Sequence, residues 1–390
     1  MGCKMNGTLV LLPSVHVIDE GRTLRMDDKF VDGLAMYASN WDGGLRLVIR
    51  RGSGALPFAR SIRPEDLPCE LVLLDDREPV TAAHLSGAAI ALGTADDTRQ
   101  LDLLATCRAV GVRLVYTIEY DFRTRLAIAR LELRRNPLRL LRSWQWLTVQ
   151  ERRRRRALAA ADGIQANGFP AASAYGPLTD SLCMFLDGRM RRDEMADTAD
   201  MTARRTQLMS GAPLRLVHAG RLEAMKGARD LVPFMRALRD AGVNARLDVI
   251  GTGALLGKVA RDAADLGEMI RLHPPMDFQT ELVPWLRQHA DMFIATHRQS
   301  DPSCSYLEAM GCGLPVLGTD NGMLTPLISQ SGGGWVTAMG RPRAQATRLA
   351  GLDRGEIAAA GARALEFARQ HDFQTEFRRR LDHLRTVLDR

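Results

Sequence analysis

The chain has 390 residues, 46% of them apolar and 25% charged, with a formal net charge of +7. That length accommodates two domains of common size, and the composition is that of a globular protein. No run of 18 apolar residues occurs, so no spanning helix is expected. The six cysteines, Cys3, Cys69, Cys107, Cys183, Cys304 and Cys312, form no C-x-x-C, which argues against zinc and against a disulfide framework and for a reducing compartment.

The amino-terminal half alternates short apolar runs with helical patterns, as a parallel sheet with covering helices would. Strands are expected at 8–12, 45–49, 71–74, 88–91, 113–117 and 163–166, with helices between them such as 30–39 and 98–110. The opening MGCKMNGTLVLLPSV has too short an apolar run for a signal peptide, and Asn6 stands where a myristoylation start needs Ser or Thr. Lys29 lies in MDDKF, Glu119-Tyr120-Asp121 follows the strand VRLVYTI, and Asn167-Gly168 closes the last strand of this half.

The basic charge is local. Residues 122–156 hold twelve arginines against two acids, Glu132 and Glu151, an excess larger than the net charge of the whole chain. Arg134, Arg135, Arg139, Arg142 and the run Arg152, Arg153, Arg154, Arg155, Arg156 interleave with Leu138, Leu140, Leu141, Trp144, Trp146 and Leu147. Arginines beside tryptophans and leucines suit the headgroup layer of an anionic membrane, at about 1 kcal/mol per basic residue. The alternative is an exposed helix with its apolar side on the core. No DNA- or RNA-binding motif accompanies the charge, so nucleic acid is not an expected partner.

From 187 to 213 the pattern fades into a polar, charge-rich run, expected to connect two domains. Beyond it the βαβ repetition is clear: strands at 214–218, 245–250, 270–273 and 293–295, helices at 227–241, 255–265 and 279–289. This is a second doubly wound sheet, with ligands at the carboxyl ends of its strands. The tail, 354–390, has helical periodicity.

Two motifs in this half carry chemistry. In Gly220-Arg221-Leu222-Glu223-Ala224-Met225-Lys226-Gly227, Gly220 permits a sharp exit from a strand, Arg221 supplies a rigid fork and Lys226 a movable point charge. Together they can neutralise a diphosphate and stabilise the charge that gathers as it leaves. In FIATHRQSDPSCSYLEAMGCGLPVLGTDNG, Asp301-Pro302 suits a helix cap and first turn, which leaves the N–H groups of Ser303, Cys304 and Ser305 for phosphate. Glu308, about two turns further in, can accept from vicinal sugar hydroxyls. Gly251 and Gly253 cradle phosphate or form a tight turn. His273 packs at a strand end or binds donor, Asp301 caps or contacts sugar, and His297 and Arg298 lie near the sugar.

These residues resemble the retaining GT-B glycosyltransferases of family 4, glycosyl transferases group 1, and in particular bacterial polysaccharide-biosynthesis members. Their signature is a pair of glutamates eight positions apart followed by A-M-x-x-G-x-P-V, together with G-R-x4-K-G. Glu308, Ala309, Met310, Gly313, Pro315 and Val316 match, as does 220–227. The first glutamate is Ser300 here, with Asp301 beside it, and the histidine usual after the strand preceding Glu119 is absent.

The resemblance implies an α/β fold with two Rossmann-like domains facing a cleft: an acceptor domain at 1–190, a connection at 191–213, a nucleotide-sugar domain at 214–370, and a terminal helix at 371–390 packing back on the first. It implies metal-independent, retaining transfer of a sugar from a nucleoside-diphosphate donor, with UDP or GDP, to a hydroxyl of a lipid-linked saccharide or polysaccharide. The donor is a co-substrate, and no cofactor or metal is expected. Arg221 and Lys226 would carry the leaving group. Glu119 or Asp121 would steady the developing positive charge or orient the acceptor, or else pair at the surface with Arg123 or Arg125. Lys29 and Asn167 would border the acceptor, while Arg139, Arg142, Trp144, Trp146, Arg152 and Arg153 would meet the inner face of the plasma membrane from the cytoplasm. Two other readings stay open: a sugar-nucleotide epimerase or hydrolase of the same fold, and a non-catalytic nucleotide-sugar-binding protein at the membrane surface.

Overall fold

The structure is a computed structural model that describes residues 7–390 apart from 55, 57, 58, 134 and 135. Cys3, Asn6, Arg134 and Arg135 therefore lie outside the described residues. The chain forms two compact units: one takes the chain up to Phe122 with Trp144–Phe185 and Gln374–Arg390, and the other takes Arg123–Ser143 with Leu186–Phe373.

In the first unit the strands are β1 (Thr8–Leu11), β2 (His16–Asp19), β3 (Leu24–Asp27), β4 (Leu45–Arg51), β5 (Ala59–Ile62), β6 (Glu70–Leu74), β7 (Ala88–Thr94), β8 (Arg113–Ile118), β9 (Gly163–Asn167) and β10 (Leu182–Phe185). Their order is β10-β9-β8-β7-β1-β4-β2-β3-β5, with β6 also paired to β4. Leu9, Val10, Ile90, Ala91, Leu114, Val115 and Tyr116 are fully buried, as strands covered on both faces by helices must be. The chain leaves β1 for β4 on one side and returns to β7 on the other, so the sheet has a topological switch point at β1.

All six strands anticipated in this half are present. The antiparallel extension was not anticipated: β2 pairs with β3 and β3 with β5. These strands are four residues each, with polar residues alternating into solvent, and present no continuous apolar run. The tail helix Phe373–Leu388 lays Phe377, Leu381, Leu384 and Val387 onto this unit. Phe377 meets Tyr37 edge-on at 5.2 Å, and Arg380 bonds both Gln165 and Tyr37.

The second unit holds β11 (Leu214–Ala219), β12 (Ala245–Ile250), β13 (Ile270–His273), β14 (Met292–Ala295), β15 (Val316–Thr319) and β16 (Gly334–Thr337), in the order β13-β12-β11-β14-β15-β16. All their pairings are parallel. The polar segment 191–213 carries the helix Thr198–Met209, capped by Asp197, and packs within this unit against Arg354–Gln370. Its Arg204 is 3% exposed and gives its guanidinium to the carbonyls of Ala290, Gly313 and Arg287. A buried cation is tolerated there because three carbonyl dipoles replace water.

The described cysteines are all free. Burial pushes the thiols of Cys69, Cys107 and Cys183 up to about 11 and that of Cys312 to about 12. They are protonated, inert packing groups at neutral pH.

Candidate functional site

The loops after β11 and β12 are pressed together backbone to backbone. Gly220 N–H donates to Ile250 O at 3.0 Å, and Leu222 N–H donates to Thr252 O at 2.9 Å. Gly251, at φ 136°, has no room for a side chain: a Cβ would lie 2.2 Å from Gly220 O. At Gly253 a Cβ would meet Leu222 backbone atoms at 2.7 to 2.9 Å. Of the two readings of Gly251 and Gly253, this geometry favours the tight turn. Their smallness lets the Gly220–Leu222 loop sit against them.

That loop is also strapped to the segment after β14. Arg298 N–H donates to Met225 O at 2.9 Å, and Thr296 Oγ1 donates to Lys226 O at 3.1 Å. Lys226 therefore arrives beside the start of the helix Cys304–Gly311. Its Nζ donates to Asp301 Oδ2 at 2.5 Å and to Ser303 Oγ at 3.2 Å, and Ser303 Oγ lies 2.8 Å from Ser305 Oγ. Arg221 is exposed on the same loop.

The helix begins later than expected. Its cap is Ser303, not Asp301, and Pro302 and Ser303 precede the first turn. The N–H of Ser303 is taken by Asp301 O at 2.8 Å, so it is not offered outward. Asp301 does not cap because its carboxylate turns to Lys226. Burial pushes the Asp301 carboxyl up, but the Lys226 ammonium outweighs it and holds the group below its ordinary value. Ser300, at the position of the missing glutamate, accepts from Gly322 N–H at 2.9 Å.

Glu308 lies buried on the inward side of the same helix, where its Oε1 accepts from Arg189 Nε at 3.0 Å. The Arg189 guanidinium covers the Phe278 ring at 4.0 Å. Cys304 Sγ lies 3.9 Å from Asp187 Oδ2. Sequence reasoning missed Arg189, which sits in the fading polar stretch with no motif around it. Arg298, expected near the sugar, and His273, expected at a strand end or on the donor, have partners within the unit. Arg298 makes a bidentate pair with Asp230, at 2.6 and 2.7 Å. His273 bonds Asp248 through Nε2 at 2.7 Å beside Trp285, which is the packing role rather than donor contact.

Around Asp301 several polar atoms are buried without a partner among the described residues: both ring nitrogens of His297, Gln299 Nε2 and Asp301 Oδ1. His297 packs edge-on to Tyr306 at 5.0 Å. Burial, and next the nearby Lys226, drive the His297 pKa well below the ordinary histidine value. Burial likewise lowers that of His218, to about 4, although its Nδ1 lies 2.9 Å from Ile294 O. Both imidazoles are neutral at pH 7. The cluster is polar, buried and uncharged apart from the ion pair it surrounds.

In the first unit the structure brings Glu119 and Asn167 together at the carboxyl ends of β8 and β9, with Asn167 Nδ2 donating to Glu119 Oε1 at 3.2 Å. Asp96 fixes this turn by accepting from the N–H groups of Glu119 and Tyr120, at 2.8 and 3.3 Å. Asp121 and Lys29 are half-buried, Lys29 in the first turn of the helix Asp28–Asn40.

The basic stretch folds largely into the helix Pro137–Ala160. Leu138, Leu141, Trp144, Trp146 and Val149 are exposed along it, at 72%, 51%, 45%, 53% and 52%. An apolar side turned onto the core is therefore not their arrangement. Arg139, Arg142 and Arg152 are exposed as well. The arginine run is not uniform, which corrects its reading as one charged surface. Arg154 is 1% exposed, donating to Ala95 O at 2.8 Å and pairing with Glu151 at 3.0 Å, and Arg153 pairs with Asp102 at 2.7 Å. Helical period alone turns one arginine in each turn inward. No helix among the described residues is long and apolar enough to cross a membrane.

Residues 213–352 match a family model described as glycosyl transferases group 1. A GDP-mannose-dependent alpha-(1-6)-phosphatidylinositol dimannoside mannosyltransferase of Mycobacterium tuberculosis is 33% identical over 134 residues, 33% of this chain and 32% of that protein. The amylovoran biosynthesis glycosyltransferase AmsK of Erwinia amylovora is 28% identical over 190 residues, covering 46% and 45%. The chain thus spans between about a third and a half of the length of these curated relatives. The crystal structure of Anabaena Alr3699/HepE in complex with UDP superposes with a TM-score of 0.65 at 15% identity, covering 97% of this chain and 99% of that one. The fold is GT-B, and the match to glycosyl transferases group 1 lies over residues 213–352.

Proposed function

We propose that the protein is a retaining, metal-independent glycosyltransferase that moves a sugar from a nucleoside-diphosphate donor to a hydroxyl of a lipid-linked saccharide or polysaccharide at a membrane surface. The observation that carries this reading is the meeting of Lys226, Asp301, Ser303 and Ser305 at the start of the helix that bears buried Glu308. The group 1 match over the same residues supports it, as do relatives named for transfer onto a phosphatidylinositol dimannoside and for amylovoran biosynthesis.

In this reading the diphosphate lies along the Gly220–Gly227 loop. Arg221 grips it as a fork, Lys226 shifts part of its charge from Asp301 to the phosphate, and Glu308 accepts from the ribose hydroxyls. As the bond between sugar and leaving oxygen breaks, charge moves onto the phosphate. Lys226, largely buried, and the exposed Arg221 fork stabilise that state more than the ground state. Glu119, oriented by Asn167 and backed by the Asp96 turn, serves the acceptor hydroxyl. The exposed Leu138, Leu141, Trp144 and Trp146 with Arg139, Arg142 and Arg152 dock the enzyme on anionic lipid, where a lipid-linked acceptor is found.

The test is product analysis of UDP- and GDP-sugars incubated with and without lipid-linked acceptor extract. Sugar transfer that depends on acceptor and keeps the anomeric configuration supports the reading. Acceptor-independent release or epimerisation of the sugar supports the hydrolase or epimerase, and nucleotide binding with no turnover supports the binding protein.

A further inference from the structure

The first unit contains a cavity of about 500 Å³ lined by Pro13, Ser14, Val15, His16, Arg50, Arg51, Gly52, Ser53, Asp76 and Arg99. It opens at the carboxyl end of the parallel strands, where the chain leaves β1 at Pro13, β4 at Gly52 and β7 toward Arg99. Those strands flank the switch point of the sheet, a place where open α/β sheets bind ligands. None of the residues so far assigned to donor or acceptor lines it.

Its charge is unevenly compensated. Arg51 pairs with Asp19 and Asp75, at 3.0 and 3.2 Å, and Arg99 pairs with Asp97 and Asp76, at 2.9 and 2.8 Å. Arg50 meets no carboxylate among the described residues: its Nη1 donates to the carbonyls of Asp75, Asp76 and Glu78. The Asp76 carbonyl accepts from Arg50 and from Arg99, both at 3.1 Å, so two guanidiniums converge on one oxygen. Burial first, and then the Arg99 charge, lower the Arg50 pKa from its ordinary value, against the opposing pull of the Asp97, Asp76 and Glu78 carboxylates. His16 Nε2 is buried with no partner among the described residues, and its ring is held against Gly52, where a Cβ would come within 2.3 Å of it.

We infer that this cavity binds the phosphate of a small phosphorylated polyol, with Arg50 and His16 on the phosphate and Ser14, Ser53 and Asp76 on the hydroxyls. A guanidinium fork matches a phosphate in geometry, and the Arg50 guanidinium bonds backbone carbonyls rather than a carboxylate among the described residues. A phosphate oxygen also gives His16 Nε2 the partner it lacks. The volume suits a sugar- or glycerol-sized ligand. That this ligand is the acceptor, as a soluble phosphoester or as a lipid headgroup, rests on the transferase reading; the binding itself does not.

The experiment is calorimetric titration of the full chain with sn-glycerol 3-phosphate, and separately with dihexanoyl-phosphatidylglycerol below its micellar concentration. Both titrations are repeated in Arg50→Lys, Gly52→Ala and His16→Gln, with circular dichroism and thermal melts to confirm folding. The expected result is saturable binding to wild type that weakens at least tenfold in Arg50→Lys and in Gly52→Ala and is unchanged in Lys226→Ala. Tighter binding of the phosphatidylglycerol identifies a headgroup site, and tighter binding of glycerol 3-phosphate a site for a soluble phosphoester. No binding by wild type, or binding that survives all three cavity substitutions in folded protein, overturns the inference. Binding without sugar transfer would leave the cavity assigned and the transferase reading refuted.

Discussion

Lys226 Nζ lies 2.5 Å from Asp301 Oδ2, and the two side chains are only 12% and 6% exposed. The cation expected to meet a diphosphate is thus already neutralised by an internal carboxylate. Two residues 75 positions apart are joined because the β11 and β14 loops are strapped together through Met225 and Arg298.

Removing one partner of a buried pair leaves the other desolvated and alone, at a cost of about 3 kcal/mol or more. Lys226→Met should therefore lower stability by roughly that amount, and adding Asp301→Asn should restore much of it. Transfer should fall at least ~100-fold in Lys226→Met and not return in the double variant, because the phosphate still lacks its cation. Urea denaturation beside steady-state kinetics checks both halves. Recovery of activity together with stability would reduce Lys226 to a structural role. Arg221→Ala, on an exposed side chain, should cost a similar factor in activity while leaving the urea midpoint in place.

Glu308 holds one oxygen toward Arg189. If it also holds the ribose, wild-type protein should prefer nucleoside diphosphates over their 2′,3′-dideoxy forms by about 10-fold or more, the worth of a hydrogen bond to a charged acceptor. Glu308→Gln should erase most of that preference. Calorimetry on the four combinations decides it; an equal preference in the variant would remove the carboxylate from the ribose.

His218 and His297 are both held neutral by burial, His218 with its pKa near 4. A folded-state pKa below the unfolded value means that the unfolded chain binds the extra proton. The stability these groups contribute is complete above about pH 6.5 and is lost as pH falls toward the folded pKa. For His218 alone the loss between about pH 6.5 and 4 should be on the order of 3 kcal/mol. Asp301, also lowered, adds a further loss only below its unfolded value near 3.8. Urea midpoints from pH 7.5 to 4 should show a decline that begins near 6.5 and flattens partly in His218→Gln. A flat profile through pH 5 would contradict the burial of these rings.

Replacing Arg139, Arg142 and Arg152 by Gln should weaken sedimentation with anionic vesicles by about 100-fold, at about 1 kcal/mol for each charge. Trp144→Ser with Trp146→Ser should weaken it further, since these rings are exposed. Arg154→Gln should instead destabilise the fold, because it strips Ala95 O and Glu151 of a buried partner. Unchanged sedimentation in the arginine triple variant would count against membrane docking.

Most of the parallel strands of both sheets and the two glycine-rich exits were legible in the chain itself, whereas the short antiparallel strands β2, β3 and β5 were not. Continuous apolar runs declare strands buried on both faces, and a glycine after a strand declares a turn that other residues cannot make. The motif at 220–227 and the run around Glu308 were legible for the same reason: their chemistry lies within a few residues of backbone. What tertiary structure alone decided was pairing at a distance. It gave Asp301 to Lys226, moving the helix start from Pro302 to Cys304. It gave Arg189 to Glu308, Arg298 to Asp230, and Arg154 to Ala95 and Glu151. It also bonded Arg50 to backbone carbonyls, while its neighbours Arg51 and Arg99 pair with carboxylates. Charge, polarity and period are properties of a residue and its near neighbours, whereas the partner that neutralises a buried charge is whatever the packed sheets bring within hydrogen-bonding reach.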